Sequence, residues 1–517
     1  MMKNSRAISL SLLMLAAALA LPARAKERAM PQYLVGKEIT NDLKSLEAAG
    51  RIMDAEKWID ARLGRPESSK DERESLVVER ERLRRLRRDF SLSRDEMLAK
   101  VREAIPDAQK EDIENWRSDG MLQWVKIDGE YRFFRREPSN LFRFCDEARE
   151  RRDAARASRT RPTSPTLSAS VAAPASIPSG DPAANVARSF TLADHAAEVL
   201  RLAGANEGSK FEPVRMKVRH NITVDPGVVP AGKTVRCWMP FPQEYQQQTD
   251  VRLLYTSPTV NQVAPNGTGQ RTIYLERPAG ATGKPTVFVA EYEYTCAAYA
   301  PSLSEDKIGA LSPDDPIFKE YTAERTPHIV FNDEARKLAR DIVGSETNPY
   351  VKAQKIWRWI NDNVRYCSEM EYSLMPSVTE KILAERRGDC GVQALLFITL
   401  CRISGVPARW QSGWVTRPGH WNLHDWAEFY VAPYGWLPAD PSIGYFTSDD
   451  AAVHDFLFAN MDSYRMIANL DYETAFTPPK KFWRSDPVDN QRGEVEWDGG
   501  NLYYDDWDFH VDVQTVK

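Results

Sequence analysis

The chain has 517 residues, of which 42% are hydrophobic and 28% charged, and its formal net charge is −5. At roughly 100–200 residues per domain, this length predicts about three domains with packed hydrophobic cores. The small net charge excludes a global field of the kind that attracts nucleic acid or an anionic membrane, so we expect neither as a partner.

Residues 1–25 have the pattern of a secretory signal peptide. Lys3 and Arg6 give a positive start, the range 8–21 is apolar, and Ala25 completes an Ala-x-Ala site of the kind that a signal peptidase reads. This pattern predicts cleavage after Ala25 and an exported protein, periplasmic or extracellular. No later segment holds 18 uninterrupted apolar residues, so we expect no membrane span in the rest of the chain.

The residues from 36 to 148 predict a helical module that contains a β-hairpin. The arginine-rich stretch 80–88 also carries acidic residues, and we interpret it as the solvated face of a helix, not as a nucleic-acid site. The range 94–136 then has the order helix, turn, helix and hairpin, with Asp128-Gly129 as the hairpin turn. This order is that of a winged helix, but it does not imply DNA binding, and we interpret the module as an accessory or interaction unit.

The rest of the chain divides by composition. Residues 149–188 are rich in Ala, Ser and Pro with few large apolar side chains, which predicts a flexible linker. Residues 190–312 begin with a short helix and continue in alternating strands, which predicts a β-sandwich of immunoglobulin-like type. Residues 314–447 mix amphipathic helices with strands, and residues 448–517 predict a strand-rich tail that packs on this core. The fold class is therefore α+β with several domains.

Cysteine usage limits the covalent and metal chemistry. Six cysteines are too few for a disulfide-built scaffold, and the absence of a C-x-x-C pair argues against structural zinc. Cys237 and Cys296 lie in the same β-rich region and could pair if the protein is exported. We predict no metal and no other cofactor.

One cysteine has the setting of a nucleophile. Cys390 lies in "RRGDCGVQALLFITLCRISGVPARW", between two glycines and at the start of an apolar helix that Gly405 ends. The positive end of a helix dipole lowers a thiol pKa, so we expect an activated Cys390. The flanking Gly391 would let a substrate backbone approach and leave the Cys390 amide free for an oxyanion.

A base and an orienting carboxylate follow in the next motif. In "HDWAEFYVAPYGWLPADPS", one strand opens at His424 and a second strand ends at Asp440, with a turn near residues 433–435. The start of one hairpin strand lies beside the end of the next, so His424 and Asp440 should be neighbours. A thiol, an imidazole and a carboxylate of this kind carry out nucleophilic acyl transfer.

These four motifs together resemble the core of the transglutaminase-like superfamily, which is papain-like in layout. The resemblance implies that Cys390 is the nucleophile, His424 the base and Asp440 the residue that orients the histidine. Asp425 replaces the commoner alanine of this motif, and strand alternation places it on the face opposite to His424, so we expect it not to disable the site. The C-x-x-C zinc pairs of the glycanase members are absent, which argues against deglycosylation.

Further site residues and functions remain open. Tyr366 is a candidate oxyanion donor, and Trp426 and Gly391 are candidates for the substrate groove. The preferred function is hydrolysis of peptide or protein amides, because water is always available and no EF-hand calcium loop suggests a regulated cross-linker. Protein cross-linking by a lysine amine is one alternative. A catalytically idle binding protein of the cell envelope is another, and the many tryptophans allow contact with glycans.

Overall fold

The computed structural model describes residues 41–159 and 190–516. The predicted signal peptide and most of the predicted linker therefore lie outside the described residues. Within the described ranges, no helix combines the length and the apolar character that a membrane crossing would need.

The N-terminal module consists of helices around one hairpin. Its helices are α1 Asn41–Ala48, α2 Ile52–Leu63, α3 Lys70–Asp89, α4 Arg94–Arg102, α5 Lys110–Ser118, α6 Glu137–Phe144 and α7 Asp146–Arg159. Strands β1 Trp124–Ile127 and β2 Glu130–Phe133 pair in antiparallel fashion across Asp128-Gly129, which both have positive φ as such a turn requires. The predicted order of helices and hairpin is present, while its assignment as a winged helix remains a prediction. Helix α7 occupies residues 149–159, where the linker was expected to start.

A β-rich region follows helix α8 Leu192–Ala205. Its strands are β3 Lys210–Val224, β4 Thr234–Pro240, β5 Gln248–Ser257, β6 Gln262–Val263, β7 Thr272–Pro278 and β8 Thr286–Tyr299. Three strands from the C-terminus, β15 Glu494–Trp497, β16 Gly500–Leu502 and β17 Trp507–Val516, complete its two sheets. The sheet orders are β16-β15-β4-β7-β6 and β17-β3-β8-β5, and side chains of both sheets form one buried hydrophobic cluster. The immunoglobulin-like type stays a prediction.

Of the C-terminal tail, which was predicted to pack on the core, residues 465–469 pair with a strand of the core, whereas β15, β16 and β17 join the β-rich region. Strand β17 pairs with β3 over ten residues, from Trp507 opposite Val224 to Val516 opposite Arg215. Its apolar side chains alternate, with Trp507 and Val511 buried in the cluster between the sheets. A strand edge carries unpaired backbone donors and acceptors, and β17 satisfies those of β3.

The suggested disulfide between Cys237 and Cys296 is wrong, because all six cysteines are free and buried. Cys237 lies on β4 and Cys296 on β8, in different sheets. Both thiols instead fill the apolar core between the sheets.

The third region is a helical layer packed on an antiparallel sheet. Its helices are α9 Pro316–Tyr321, α10 Asp333–Val343, α11 Pro349–Asn363, α12 Val378–Glu385 and α13 Cys390–Ile403, with the short strands β9 Arg365–Tyr366 and β10 Arg387–Gly388 between them. The sheet has the order β13-β12-β11-β14. Its strands are β11 Ala408–Arg417, β12 His420–Val431, β13 Gly435–Ala439 and β14 Arg465–Asn469, and the short helix α14 Ala451–His454 precedes β14.

Helix α13 is buried along almost its whole length because its side chains are apolar on every face. It lies against β12, where Phe397 meets Phe429 edge to face with ring centroids 6.1 Å apart. This packing fixes the N-terminus of α13, and therefore Cys390, beside the first half of β12.

Candidate active site

Cys390 is the first residue of α13 and lies at the base of a cleft. Asp389 caps the helix by accepting a hydrogen bond from the Val392 amide at 3.1 Å. The cleft has a volume of about 690 Å³ and is bordered by the N-terminal module, by the core and by the C-terminal strands. Cys390 is a buried residue, with 8% of its surface exposed, and it lines this cleft.

The hydrogen-bond partner of the sulfur is Asp425. Cys390 Sγ lies 3.2 Å from Asp425 Oδ2, and the same oxygen lies 3.4 Å from the hydroxyl of Tyr372. Tyr372 also donates to Asp389 at 2.8 Å. A Cβ on Gly391 would come within 2.0 Å of the Tyr372 hydroxyl, so this glycine makes room for Tyr372. Gly391 is itself buried, and its role in the substrate groove stays a prediction.

His424 and Asp440 meet as the hairpin predicted. His424 Nε2 lies 2.6 Å from Asp440 Oδ2, which also accepts a hydrogen bond from Arg465 Nη1 at 2.9 Å. The other oxygen of Asp440 accepts the backbone amides of Ser442 and Ile443, each at 3.1 Å. Burial alone would raise the pKa of Asp440, but the charges of His424 and Arg465 outweigh burial and hold this pKa below its usual range.

The three predicted catalytic residues are not all in contact. His424 and Asp425 are successive residues of β12, so their side chains project from opposite faces of the sheet. Helix α13 and Cys390 are on the Asp425 face. In the described part of the chain, His424 makes its side-chain hydrogen bond to Asp440 and the thiol makes its own to Asp425. Asp425 does point away from His424 as expected, but the face that it occupies is the one that carries the cysteine.

The electrostatics of the sulfur also differ from the expectation. Burial, followed by the negative charges of Asp425 and Asp389, raises the pKa of the Cys390 thiol well above its usual value. The helix dipole acts in the opposite direction but is outweighed, because two carboxyl groups lie beside the same sulfur. Cys390 is therefore a protonated thiol in this state, and the prediction of a lowered thiol pKa is wrong.

The carboxyl groups around the sulfur suppress one another's ionisation. Burial and the neighbouring carboxyl of Asp489, with a contribution from Asp389, raise the pKa of Asp425 well above its usual value. Burial, with the charge of Glu369, raises the pKa of Asp389 to about 7. Asp389 can therefore hold or release a proton near neutral pH, which a carboxylate in water does not.

Of the two remaining site candidates, one borders the cleft. Tyr366 is 39% exposed in the cleft, and the charge of a thiolate at Cys390 is the largest of the causes that raise its pKa. Trp426 is fully buried, donates to Gln411 Oε1 at 2.6 Å and stacks on His424 with ring centroids 5.9 Å apart. Its expected place in the groove is wrong, because the indole is fully buried and does not border the cleft.

Residues from distant parts of the chain complete the site. Gln491 donates to Asp425 Oδ1 at 2.6 Å and to the His424 carbonyl at 2.8 Å, which ties both residues to the C-terminal segment. Neither Gln491 nor Asp489 lies in a recognisable motif, so no signal in the sequence could have indicated them. Within the described ranges, no group of three or more His, Cys, Asp or Glu residues could hold a metal ion.

Comparison with known proteins identifies the core. Residues 336–441 match the model of the transglutaminase-like superfamily, which confirms the predicted transglutaminase-like core. An uncharacterised protein of Haemophilus influenzae is 30% identical over 149 residues, which cover 24% of this chain and 39% of that protein. A peptide-N(4)-(N-acetyl-beta-glucosaminyl)asparagine amidase of Gallus gallus is 37% identical over 90 residues, which cover 16% of this chain and 13% of the amidase. The chain thus spans well under half the length of either relative.

Two solved structures are also similar. A candidate cysteine protease from Cytophaga hutchinsonii is 19% identical with a TM-score of 0.41, covering 60% of this chain and 92% of that one. The periplasmic domain of TgpA from Pseudomonas aeruginosa is 16% identical with a TM-score of 0.24, covering 48% of this chain and 91% of that domain.

Proposed function

We propose that this protein is a thiol-dependent enzyme that transfers acyl groups from peptide or protein amides, with water as the usual acceptor. The observation that carries the proposal is the position of Cys390, at the first turn of a buried helix and at the base of an open cleft of about 690 Å³. The amidase from Gallus gallus supports an amide as the substrate class, and the transglutaminase-like core supports a cysteine nucleophile. Export, the winged-helix module and the immunoglobulin-like sandwich are parts of the same proposal.

The reaction proceeds through a thioester. The sulfur of Cys390 adds to the amide carbonyl, and the oxyanion that forms is stabilised by the backbone amide at the start of α13 and by the Tyr366 hydroxyl. Collapse of this intermediate breaks the C–N bond, and the amine leaves after it accepts a proton. Water then adds to the thioester, the C–S bond breaks, and a carboxylic acid and the free thiol result.

His424, oriented by Asp440, is the proposed proton carrier, and the contact between Cys390 and Asp425 is the proposed resting state. Because His424 and Asp425 project from opposite faces of β12, the sulfur must leave Asp425 before it transfers its proton to the imidazole. A substrate that enters the cleft displaces water and packs against the thiol, and this contact causes the sulfur to leave Asp425.

Two other functions fit particular observations. A lysine amine in place of water would give protein cross-linking through the same thioester. A catalytically idle binding protein is favoured by the hydrogen bond of the sulfur to Asp425, which keeps the thiol protonated. Contact with glycans is compatible with both of these functions.

The test incubates the full chain with a peptide library and a fluorescent primary amine. New peptide N-termini indicate hydrolysis, amine incorporation indicates cross-linking, and both should be lost in Cys390→Ala. Cys401→Ala is the matched control, because it removes a buried thiol from the same helix without touching the cleft. Activity that survives Cys390→Ala, or no product from the wild type with any peptide, would sink the proposal.

A further inference from the structure

The N-terminal module covers one side of the cleft over Cys390 and places arginines there. Arg136 directly precedes α6, Arg143 lies in the last turn of α6, and both border the cleft together with Cys390. The guanidinium carbon of Arg143 lies 5.3 Å from the centre of the Tyr366 ring. Tyr366 and Cys390 line the same cleft, so Arg143 stands beside a residue that borders the sulfur's own pocket.

These two arginines differ from the other cations of the cleft. Arg135 and Arg492 both bond Glu371 at 3.1 Å, and Arg88 lies 3.7 Å from Asp505. For Arg136 and Arg143, no ion pair with any of the residues in 41–159 or 190–516 is formed, and both side chains are exposed. An exposed cation that borders a cleft without a carboxylate partner is available to an anionic ligand.

Two glutamates of the cleft form their ion pairs with other cations. Glu371 is already shared between two other arginines, and Glu369 bonds Lys381 at 2.6 Å. Partial loss of solvent around Arg136 and the neighbouring positive charge of Arg135 lower its pKa and outweigh the opposing charge of Glu371, so its charged form gains when an anion arrives.

We propose that Arg136 and Arg143 bind a carboxylate group of the substrate, and that the enzyme therefore selects acidic peptides as acyl donors. A guanidinium group presents two parallel N–H donors that match a carboxylate, and two such groups on one wall can hold a side-chain or C-terminal carboxylate beside the scissile amide. The N-terminal module is then a specificity element of the active site. This inference rests on the proposed function of Cys390, but the charge selectivity of the cleft can be measured without any substrate.

The experiment compares two alkylating reagents of nearly equal size, iodoacetate and iodoacetamide, which differ in charge. In both cases the sulfur displaces iodide, and mass spectrometry of the Cys390 peptide gives the two rate constants. The double variant Arg136→Gln/Arg143→Gln should lower the ratio of the iodoacetate rate to the iodoacetamide rate about tenfold, as expected for two charges several ångströms from the reacting atoms. Arg136→Lys/Arg143→Lys keeps both charges and should keep the ratio close to that of the wild type.

Two controls isolate the cleft. Arg80→Gln removes an arginine of the same module that is paired with Asp60 and does not border the cleft, so the ratio should not change. Asp508→Asn removes a negative charge from another border of the cleft and should not lower the ratio. An unchanged ratio in the glutamine double variant overturns the inference alone. Failure of both reagents to label Cys390 in the native protein overturns the inference and the proposed function together.

Discussion

The two faces of strand β12 carry opposite kinds of electrostatics. On the His424 face, Asp440 is bonded to His424 and Arg465, and Arg465 bonds Asp462 at 2.9 Å, so charges alternate and both carboxylates have a lowered pKa. On the Asp425 face, carboxyl groups surround the thiol and raise one another's pKa. The His424 face therefore carries a network of ion pairs, and the Asp425 face carries groups that can gain or lose protons. The difference indicates that ion pairs hold the histidine in position, whereas the protonation of the neighbouring carboxyl groups controls the ionisation of the thiol.

The largest effect is expected at the residue that removes the proton from Cys390, which is either His424 on one face of β12 or Asp425 on the other. If His424 is the base, His424→Ala should lower kcat for amide hydrolysis about 10³-fold, within the usual range for general base catalysis. Asp425→Ala should not cause such a loss, because the alanine leaves the imidazole and Asp440 in place. The reverse pattern, with His424→Ala active and Asp425→Ala inactive, would show that the carboxyl of Asp425 is the base.

A substitution in the ion-pair network on the His424 face should strongly lower the free energy of unfolding. Arg465→Met leaves Asp440 and Asp462 buried without their shared cation, and we expect a loss of about 3 kcal/mol in the free energy of unfolding, measured by urea titration. Arg358→Met is the matched control, since its pair with Asp455 is half exposed and should contribute less than about 1 kcal/mol. Equal losses in the two variants would mean that the buried network has no special role.

A smaller effect is expected at the thiol itself. Asp425→Ala removes a carboxyl group 3.2 Å from the sulfur, which should lower the thiol pKa and raise the rate of iodoacetamide labelling at pH 7 about tenfold. Because the thiol pKa is lower, the inflection point in the pH profile of the labelling rate should also move to lower pH. A slower reaction, or an unmoved inflection, would contradict the view that Asp425 keeps the thiol protonated.

Whether the sequence could predict a contact depends on how far apart the two residues lie along the chain. The pairing of His424 with Asp440 needs a single hairpin in which the two residues are 16 positions apart in the sequence, and alternation and turn residues specify this hairpin. The start of α13 at Cys390 follows from a local helix signal. The contact of Cys390 with Asp425 depends on which face of β12 the helix covers, and Gln491 reaches the site from 66 residues further on. Packing of this kind has no short sequence pattern, and the same holds for the arginines that reach the cleft from the N-terminal module.

The carboxyl groups beside the thiol should make the free energy of unfolding depend on pH. The pKa of Asp389 is raised to about 7 in the folded protein, so between pH 4 and pH 7 the folded state binds more protons than the unfolded state. Stability should therefore fall as pH rises through this window, and the penalty is complete above the folded pKa.

Asp389→Asn cannot ionise and can still accept the Val392 amide as a helix cap, so it should relieve part of this penalty. We expect the variant to gain about 1 kcal/mol relative to the wild type on going from pH 5 to pH 8 in urea titrations, less than the full linkage value because Asp425 ionises more readily once the charge of Asp389 is gone. Asp508→Asn, an exposed carboxyl on β17, should show no such gain. If Asp389→Asn instead lost stability at pH 8 relative to pH 5, the carboxyl groups around Cys390 would be held as carboxylates, and the contrast between the two faces of β12 would disappear.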